Sequence, residues 1–250
     1  MATPRLLLIA HAPTLLTDDD RPLVMTRAME QAMPGLKLAW SISDEGQFIP
    51  LARRDAWLAR EQPDRGMPLL CNGDERHLVT LTGWESPAGV SAGRQAQLQV
   101  HAKWHVDAAG ITVATAVLSA VAEAARAFWG HVTPSGTASD IALQTSPTLG
   151  GPPKPPRGLP ALKLPETLRA PEIPQHLGWL NYWSAATARL LGFPDPSRDA
   201  ELLTRSRRMA SGGWLVPLTD APLDLDDPAH LDVLLRAYAR FPEIGGRAAP

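Results

Sequence analysis

The sequence predicts an α+β protein in which an antiparallel or mixed sheet is packed by helices. Two observations indicate this class. Residues 97–106 alternate apolar and polar side chains without a break, which is typical of a strand with one buried and one wet face. Residues 112–129 repeat apolar side chains at helical spacing instead. A chain of 250 residues can bury a sizeable core, either as one large domain or as two small ones.

The composition excludes several classes of protein. A formal net charge of -2 is not that of a simple basic nucleic-acid binder, so no direct nucleic-acid partner is expected. A single cysteine excludes an internal disulfide framework and a cysteine-cluster zinc site, and it favours a reducing compartment. The 25 prolines are about twice the usual share of ~5%, but the eight tryptophans argue against a disordered chain. We therefore expect the prolines to be concentrated locally.

Neither apolar segment of the chain has the pattern of a targeting or membrane segment. The N-terminal apolar run covers only residues 6–9, whereas a signal peptide needs about 7 to 15 apolar residues, so it predicts a buried first strand. The most apolar stretch, residues 111–128, is interrupted by polar and charged side chains. We expect a soluble, cytoplasmic protein with no membrane partner.

The elements of the first half follow in order from caps, periodicity and turns. Three aspartates at residues 18–20 followed by Pro22 predict a helix start, and apolar side chains then recur at helical spacing until Pro34. The further elements predicted before residue 130 are strands over 36–42 and 47–51, a short helix over 55–61, strands over 78–84 and 97–106, and a long helix over 112–129.

A proline-rich segment divides the chain. Residues 147–174 contain nine prolines and cannot form a helix or a central strand, so they predict a linker or a wrapping arm. The predicted organisation is an N-terminal α+β lobe over 1–145, a proline-rich connector over 146–175 and a C-terminal α+β lobe over 176–250. Within the last lobe we expect a helix over 177–191, a strand over 214–218 and a final helix that opens at Asp227 and Pro228.

The polar side of the strand at 97–106 carries His101, Lys103 and His105. On a strand, the two histidines lie about 13 Å apart at ~3.3 Å per residue, too far to share one metal ion. The three side chains form either a solvated sheet face or a polar strip that contacts a partner or ligand. If the second lobe covers this face, the histidines become hydrogen-bonding groups between the lobes.

The most concentrated charge lies in an acidic segment, residues 220–232, and no Lys or Arg occurs from 209 to 235. Three interpretations remain open. Asp226 or Asp227 caps the last helix. A metal site is disfavoured, because the segment lacks the length and the glycine of a calcium loop. An acidic surface could steer and pair with a basic protein partner. The candidate partner-binding residues are Asp220, Asp224, Asp226, Asp227, His230 and Asp232.

Support for catalysis is weak. Cys71 lies six residues before His77, but no signature of a cysteine enzyme surrounds it. Ser91 and Ser211 lie near glycines without forming the Gly-x-Ser-x-Gly elbow of hydrolases, and no phosphate-binding loop is present. We therefore expect a non-enzymatic protein with no catalytic residues, no metal and no cofactor.

Three C-terminal segments carry a resemblance to known proteins: residues 178–184, residues 213–220, and residues 222–225 with the helix from Pro228 to Tyr238. They resemble immunity proteins of bacterial polymorphic-toxin and type VI secretion systems, in particular the group paired with restriction-endonuclease-like toxins. The resemblance implies a cytoplasmic protein that binds a cognate toxin, such as a nuclease, and blocks it. It implies no particular contact residue.

Two other functions remain open. A small-molecule or effector-binding module could hold its ligand between the two lobes, near His101, Lys103 and His105. A hydrolase that uses Cys71 or a serine has the least support. For the immunity protein, the acidic segment could occupy the basic surface that a nuclease presents to phosphates.

Overall fold

The structure, a computed structural model, describes residues 4–59, 66–145 and 155–248. The strands in this part of the chain are β1 (Arg5–Pro13), β2 (Trp40–Ile42), β3 (Phe48–Pro50), β4 (Met67–Cys71), β5 (Thr80–Ser86), β6 (Gln97–His105), β7 (Trp129–Pro134), β8 (Leu180–Trp183), β9 (Arg207–Arg208) and β10 (Trp214–Pro217). The helices are α1 (Arg21–Ala32), α2 (Arg54–Leu58), α3 (Ala108–Ala125), α4 (Ser135–Ala142), α5 (Ala185–Leu191), α6 (Ala200–Arg205) and α7 (Pro228–Arg240).

All these strands belong to one antiparallel sheet, in the order β3-β2-β4-β5-β6-β1-β7-β8-β10-β9. This sheet and its helices confirm the predicted α+β class. Strand β8 pairs with β7, so strands from the predicted N-terminal and C-terminal lobes lie side by side in the same sheet. The division into two lobes and a connector stays a prediction.

The two faces of the sheet differ in what covers them. Leu6, Leu8 and Ala10 of β1 are fully buried on one face. Helix α3 packs on β1, β7 and β8 at this face, and α1 packs alongside α3. Helix α3 is the one helix in the described residues that is long and apolar enough to cross a membrane by length and composition alone. Core helices of soluble proteins share these properties.

The bounds of α3 correct the predicted helix over 112–129. The helix begins at Ala108 because the Asp107 carboxylate accepts a hydrogen bond from the Gly110 N–H at 2.7 Å. It ends before Arg126, which has a left-handed backbone conformation with φ of 56°. The chain then enters β7 at Trp129. The apolar residues after 125 therefore belong to a turn and a strand that the helical periodicity concealed.

The predicted helix over 177–191 is also wrong in its first half. Residues 180–183 form β8, and all four are buried between β7 and β10. Ser184 then caps α5, because its hydroxyl oxygen accepts a hydrogen bond from the Thr187 N–H at 3.1 Å. A segment buried on both sheet faces lacks the alternation that marks a half-buried strand, so its spacing does not distinguish a strand from a helix.

Other predicted elements are present with shifted ends. Helix α1 has Pro22 in its first turn, and α7 opens at Pro228 as predicted. Strands β2, β3, β5, β6 and β10 lie within or next to their predicted ranges. Helix α2 begins one residue before the predicted helix over 55–61 and ends at Leu58, and residues 60 and 61 lie outside the described residues. Strands β4, β7 and β9 and helices α4 and α6 were not predicted.

The described part of the proline-rich connector, residues 155–175, packs on the rest of the protein. Leu162, Leu168 and Ile173 are buried. The Lys163 N–H donates to the Gly245 carbonyl at 2.9 Å, and the Gly93 N–H donates to the Leu168 carbonyl at 2.8 Å. These contacts favour the wrapping-arm interpretation for this part. The run of prolines before residue 155 lies outside the described residues.

Candidate functional site

The strand register brings histidines together on the sheet face opposite α3. Ile9 of β1 lies opposite His101 of β6 on one side and opposite His131 of β7 on the other. His11, two residues farther along β1, lies opposite Trp129. Because side chains alternate along a strand, these residues share one face of the sheet.

A cavity of about 200 Å³ lies between this face and the chain that crosses it, and we name it the histidine cavity. The sheet contributes His11, Gln97, Gln99, Trp129 and His131 to its walls. The crossing segments contribute Val90, Ser91, Ala92, Pro165, Leu168, Ile173, Gln175 and His176, and Ile9 completes the lining. Among these described lining residues there is no Asp, Glu, Lys or Arg.

Aromatic stacking orders the sheet wall of the cavity. The imidazole of His11 stacks on the indole of Trp129 with ring centroids 4.1 Å apart and planes 16° apart. The ring of His131 is nearly parallel to the same indole, at 9° and 6.3 Å. Nearby, His101 packs against Trp84 with centroids 4.1 Å apart. The rings of His11, Trp129 and His131 therefore have similar orientations and form one side of the cavity.

The four histidines of this region are held in their neutral form. Burial, together with the neighbouring His101 and His176, lowers the pKa of His11 to about 3. Burial also lowers the pKa of His101 and of His176 to about 4, and that of His131 well below its usual range. Because removal from water disfavours the charged imidazolium, these rings act at neutral pH as uncharged donors and acceptors.

Some polar atoms around the histidine cavity have no hydrogen-bond partner in the described residues. These atoms are Gln175 Oε1, His176 Nε2 and His101 Nε2, and all three are buried. The Gln175 side chain is fixed in orientation, because its Nε2 donates to the Lys163 carbonyl at 2.5 Å. Buried polar atoms in native proteins almost always have partners, so such a group of atoms is typical of a site that receives a ligand or water.

The structure separates the three residues of the predicted polar strip. His101 lies against Trp84, next to the histidine cavity. Lys103 is exposed, as predicted for a wet face. His105 lines a different, mainly apolar pocket of about 570 Å³ beside the start of α3, where its ring lies 5.5 Å from that of His77. Of the three, only His101 belongs to the histidine cluster.

The acidic segment is engaged in local structure. The Asp227 carboxylate accepts a hydrogen bond from the Ala229 N–H at 2.8 Å, which confirms the predicted cap of α7. Asp226 pairs with Arg157 at 2.8 Å, and Asp232 pairs with Arg236 at 2.6 Å.

The remaining acidic side chains are more available. His230 Nδ1 accepts a hydrogen bond from the Asp224 N–H at 3.2 Å, and the Asp224 carboxylate accepts one from the Asp226 N–H. The side chains of Asp220 and Asp224 are exposed. Within the described ranges, no group of three or more His, Cys, Asp or Glu side chains could hold a metal ion. A role of this segment in toxin binding stays a prediction.

Cys71 does not have the surroundings of an activated nucleophile. It is buried in β4, and burial raises the pKa of its thiol, which disfavours the reactive thiolate. His77, the histidine that follows it in the sequence, is exposed and lies near Asp74 at 3.7 Å instead.

Sequence reasoning missed most of the histidine cavity. It singled out His101, but not His11, Trp129, His131 or His176. The alternation of β1 and β7 could have placed His11 and His131 on one face, had β7 been recognised as a strand. No local pattern connects His176 with either strand.

Comparisons with known proteins give a family and a shared fold. A family model described as "Domain of unknown function (DUF5953)" matches residues 17–249, so the chain belongs to this family. No curated protein matches the chain. Among solved structures, the chain is similar to "Pseudomonas aeruginosa T6SS protein PA0821", with a TM-score of 0.51 and 15% sequence identity. The similarity covers 96% of this chain and 73% of that one, and it shows a shared fold.

Proposed function

We propose that this member of the DUF5953 family is a non-enzymatic immunity protein of a type VI secretion context. In this role it binds a cognate toxin, a nuclease, in the cytoplasm and occludes its active surface. The observation that carries the proposal is the likeness, over 96% of the chain, to a Pseudomonas aeruginosa T6SS protein. The resemblance of the C-terminal segments to immunity proteins supports the same context.

Those segments lie together in the structure. Residues 180–183 form β8 and residues 214–217 form β10, and the two strands pair with Trp183 opposite Trp214. Asn181 joins them, because its Nδ2 donates to the Val216 carbonyl at 3.2 Å and its Oδ1 accepts from the Gly178 N–H at 2.9 Å. The residues of β8 and β10 thus stabilise the C-terminal part of the sheet, and the toxin-binding surface would be formed by side chains outside these two strands.

Two surfaces are candidates for the toxin contact. The first is the acidic segment, where exposed Asp220 and Asp224 provide negative charge that would attract a basic nuclease surface. The second surrounds Trp84, whose side chain is 45% exposed although it packs on His101. Exposed tryptophans are frequent anchors of protein interfaces.

Co-expression tests the proposal. The protein would be expressed in a bacterium together with the product of its neighbouring gene, and growth and co-purification would be measured. We expect the neighbouring protein to be toxic alone, and this chain to restore growth and to co-purify with it. Toxicity that persists despite normal expression of a folded chain would contradict the proposal.

Two sets of variants then separate the candidate surfaces. Asp220→Asn with Asp224→Asn removes the exposed charges, and Trp84→Ala removes the exposed aromatic ring. Loss of protection in only one of the two assigns the contact to that surface. Asp44→Asn with Glu45→Gln, two exposed acidic residues outside the segment, provides the matched control.

A further inference from the structure

We infer that the histidine cavity is a binding site for a small, uncharged, planar nitrogen heterocycle. The inference is independent of the immunity role, because it depends on the walls of the cavity rather than on any protein partner. Four features carry it: the size of the cavity, its unpartnered polar atoms, the absence of charged lining residues among those described, and the nearly parallel rings along one wall.

The volume sets the size of the ligand. A cavity of about 200 Å³ is far larger than the ~10 to 15 Å³ that one water molecule requires. It is smaller than the roughly 300 to 1,000 Å³ of pockets for drug-sized molecules. A molecule of one or two fused rings fits between these limits.

The polar atoms define the hydrogen bonds that the ligand would make. Gln175 is 5% exposed, and its unpartnered Oε1 is an acceptor that requires an N–H or O–H donor. His176 Nε2 can accept or donate, depending on the tautomer. These two residues are neighbours in the chain and both line the cavity. A heterocycle that carries both a donor and an acceptor matches the hydrogen-bonding capacity of these two atoms.

The charges favour an uncharged ligand. The ionisable side chains that line the cavity are His11, His131 and His176, and His101 is close enough to influence His11 and His131. Lys103, the one nearby cation that affects His101, is exposed. A charged ligand would lose its hydration without meeting an opposite charge. The same transfer from water costs a neutral ligand much less free energy.

The rings favour a flat ligand. The planes of His11 and Trp129 lie 16° apart, and those of Trp129 and His131 lie 9° apart. A planar molecule can continue this stacking or fill the space beside it with its polar edge directed at Gln175.

Binding of adenine to the full chain tests the inference, with benzoate as a planar anion for comparison. Ligand-detected NMR at about pH 7.5 would measure both. We expect adenine to bind with a dissociation constant below about 5 mM and more tightly than benzoate. We expect Gln175→Leu to weaken adenine binding at least about fivefold, because a buried hydrogen bond is lost. The exposed Gln47→Leu provides the matched control and should bind as the unmodified chain does.

Further measurements keep the test decisive. If Gln175→Leu fails to fold, His176→Phe removes the other hydrogen-bonding group and retains a ring, and it should weaken binding in the same way. Absence of adenine binding at about 10 mM, or equal binding by both variants and the unmodified chain, would overturn the inference. Benzoate binding that exceeds adenine binding and strengthens from about pH 7.5 to about pH 5.5 would identify an anion site instead, and would also overturn it.

Discussion

The imidazole of His11 stacks on the indole of Trp129 at a centroid distance of 4.1 Å, although the two residues are 118 positions apart in the chain. The pair joins β1 to β7 on the sheet face that the connector crosses. Its stacked rings form one side of the histidine cavity, so the packing of this face and the proposed ligand site depend on the same contact.

Acid should destabilise the protein through its buried histidines. Their pKa values are lowered by folding, so below about pH 6.5 the unfolded chain binds more protons than the folded chain, and stability is lost as the pH falls. The loss continues to about pH 4 for His101 and His176 and to about pH 3 for His11. At pH 5 each of these three histidines lowers the free energy of unfolding by on the order of 2 kcal/mol. Urea unfolding at pH 7 and pH 5 measures this loss of unfolding free energy.

A variant assigns part of this pH dependence to one residue. His11→Phe retains a ring against Trp129 and removes one titrating group, so the difference in unfolding free energy between pH 7 and pH 5 should shrink by on the order of 2 kcal/mol. His77→Phe, at a side chain that is 69% exposed, provides the control. An unchanged difference in the His11 variant would show that His11 is not held neutral.

Gly178 should be essential for the packing of His131. A Cβ atom at Gly178 would lie 2.4 Å from Thr133 Oγ1 and 2.8 Å from His131 Nδ1, which are themselves 3.0 Å apart. Gly178→Ala should therefore lower the free energy of unfolding by about 1 to 3 kcal/mol, a typical effect of overpacking. Gly136→Ala, where nothing lies within 4 Å, provides the control and should not destabilise the protein. Thermal unfolding compares the two, and equal stability would contradict the prediction.

The buried ion pair of Asp199 and Arg240 should contribute more to stability than an exposed one. The Arg240 Nε and Nη2 atoms donate to the two oxygens of Asp199 at 2.6 and 2.9 Å, and the Asp199 side chain is 0% exposed. Asp199→Asn leaves Arg240 without its counter-charge and should cost about 3 to 5 kcal/mol.

The pair of Asp232 and Arg236 is the natural comparison. Its atoms lie 2.6 Å apart, but both side chains are 59% exposed. Asp232→Asn should cost less than about 1 kcal/mol. Urea unfolding of both variants measures the difference, and similar effects in the two would show that burial does not govern the strength of these pairs.

Removal of the cap at Asp227 should weaken α7. Asp227→Ala removes the acceptor for the Ala229 N–H and should lower stability by about 0.5 to 2 kcal/mol. Asp220→Ala removes the same negative charge from an exposed side chain and should have little effect on stability. Chemical unfolding distinguishes them, and an equal loss in both would contradict the capping role.

The sequence predicts those parts of the fold in which a single segment reveals its own environment. The alternation in β6 indicates one buried and one polar face, and Asp227 with Pro228 indicates the start of α7, both as observed. All four residues of strand β8 are buried, so the segment lacks the alternation that distinguishes a strand from a helix.

The histidine cavity could not be predicted in the same way. Its histidines come from β1, from β7 and from the position directly after the connector, and they meet only through strand pairing and the path of the crossing chain. The acidic segment is the reverse case, because it stands out in the sequence more than its surroundings in the structure justify. It was conspicuous in the sequence, but Asp226 and Asp227 are engaged by Arg157 and by the backbone of α7.

Calorimetric titration of this chain with the purified, catalytically inactivated product of its neighbouring gene measures toxin binding itself. We expect a one-to-one complex with a dissociation constant below about 100 nM, because neutralisation of a toxin requires tight binding. Absence of a complex at about 10 µM of both folded proteins would contradict it.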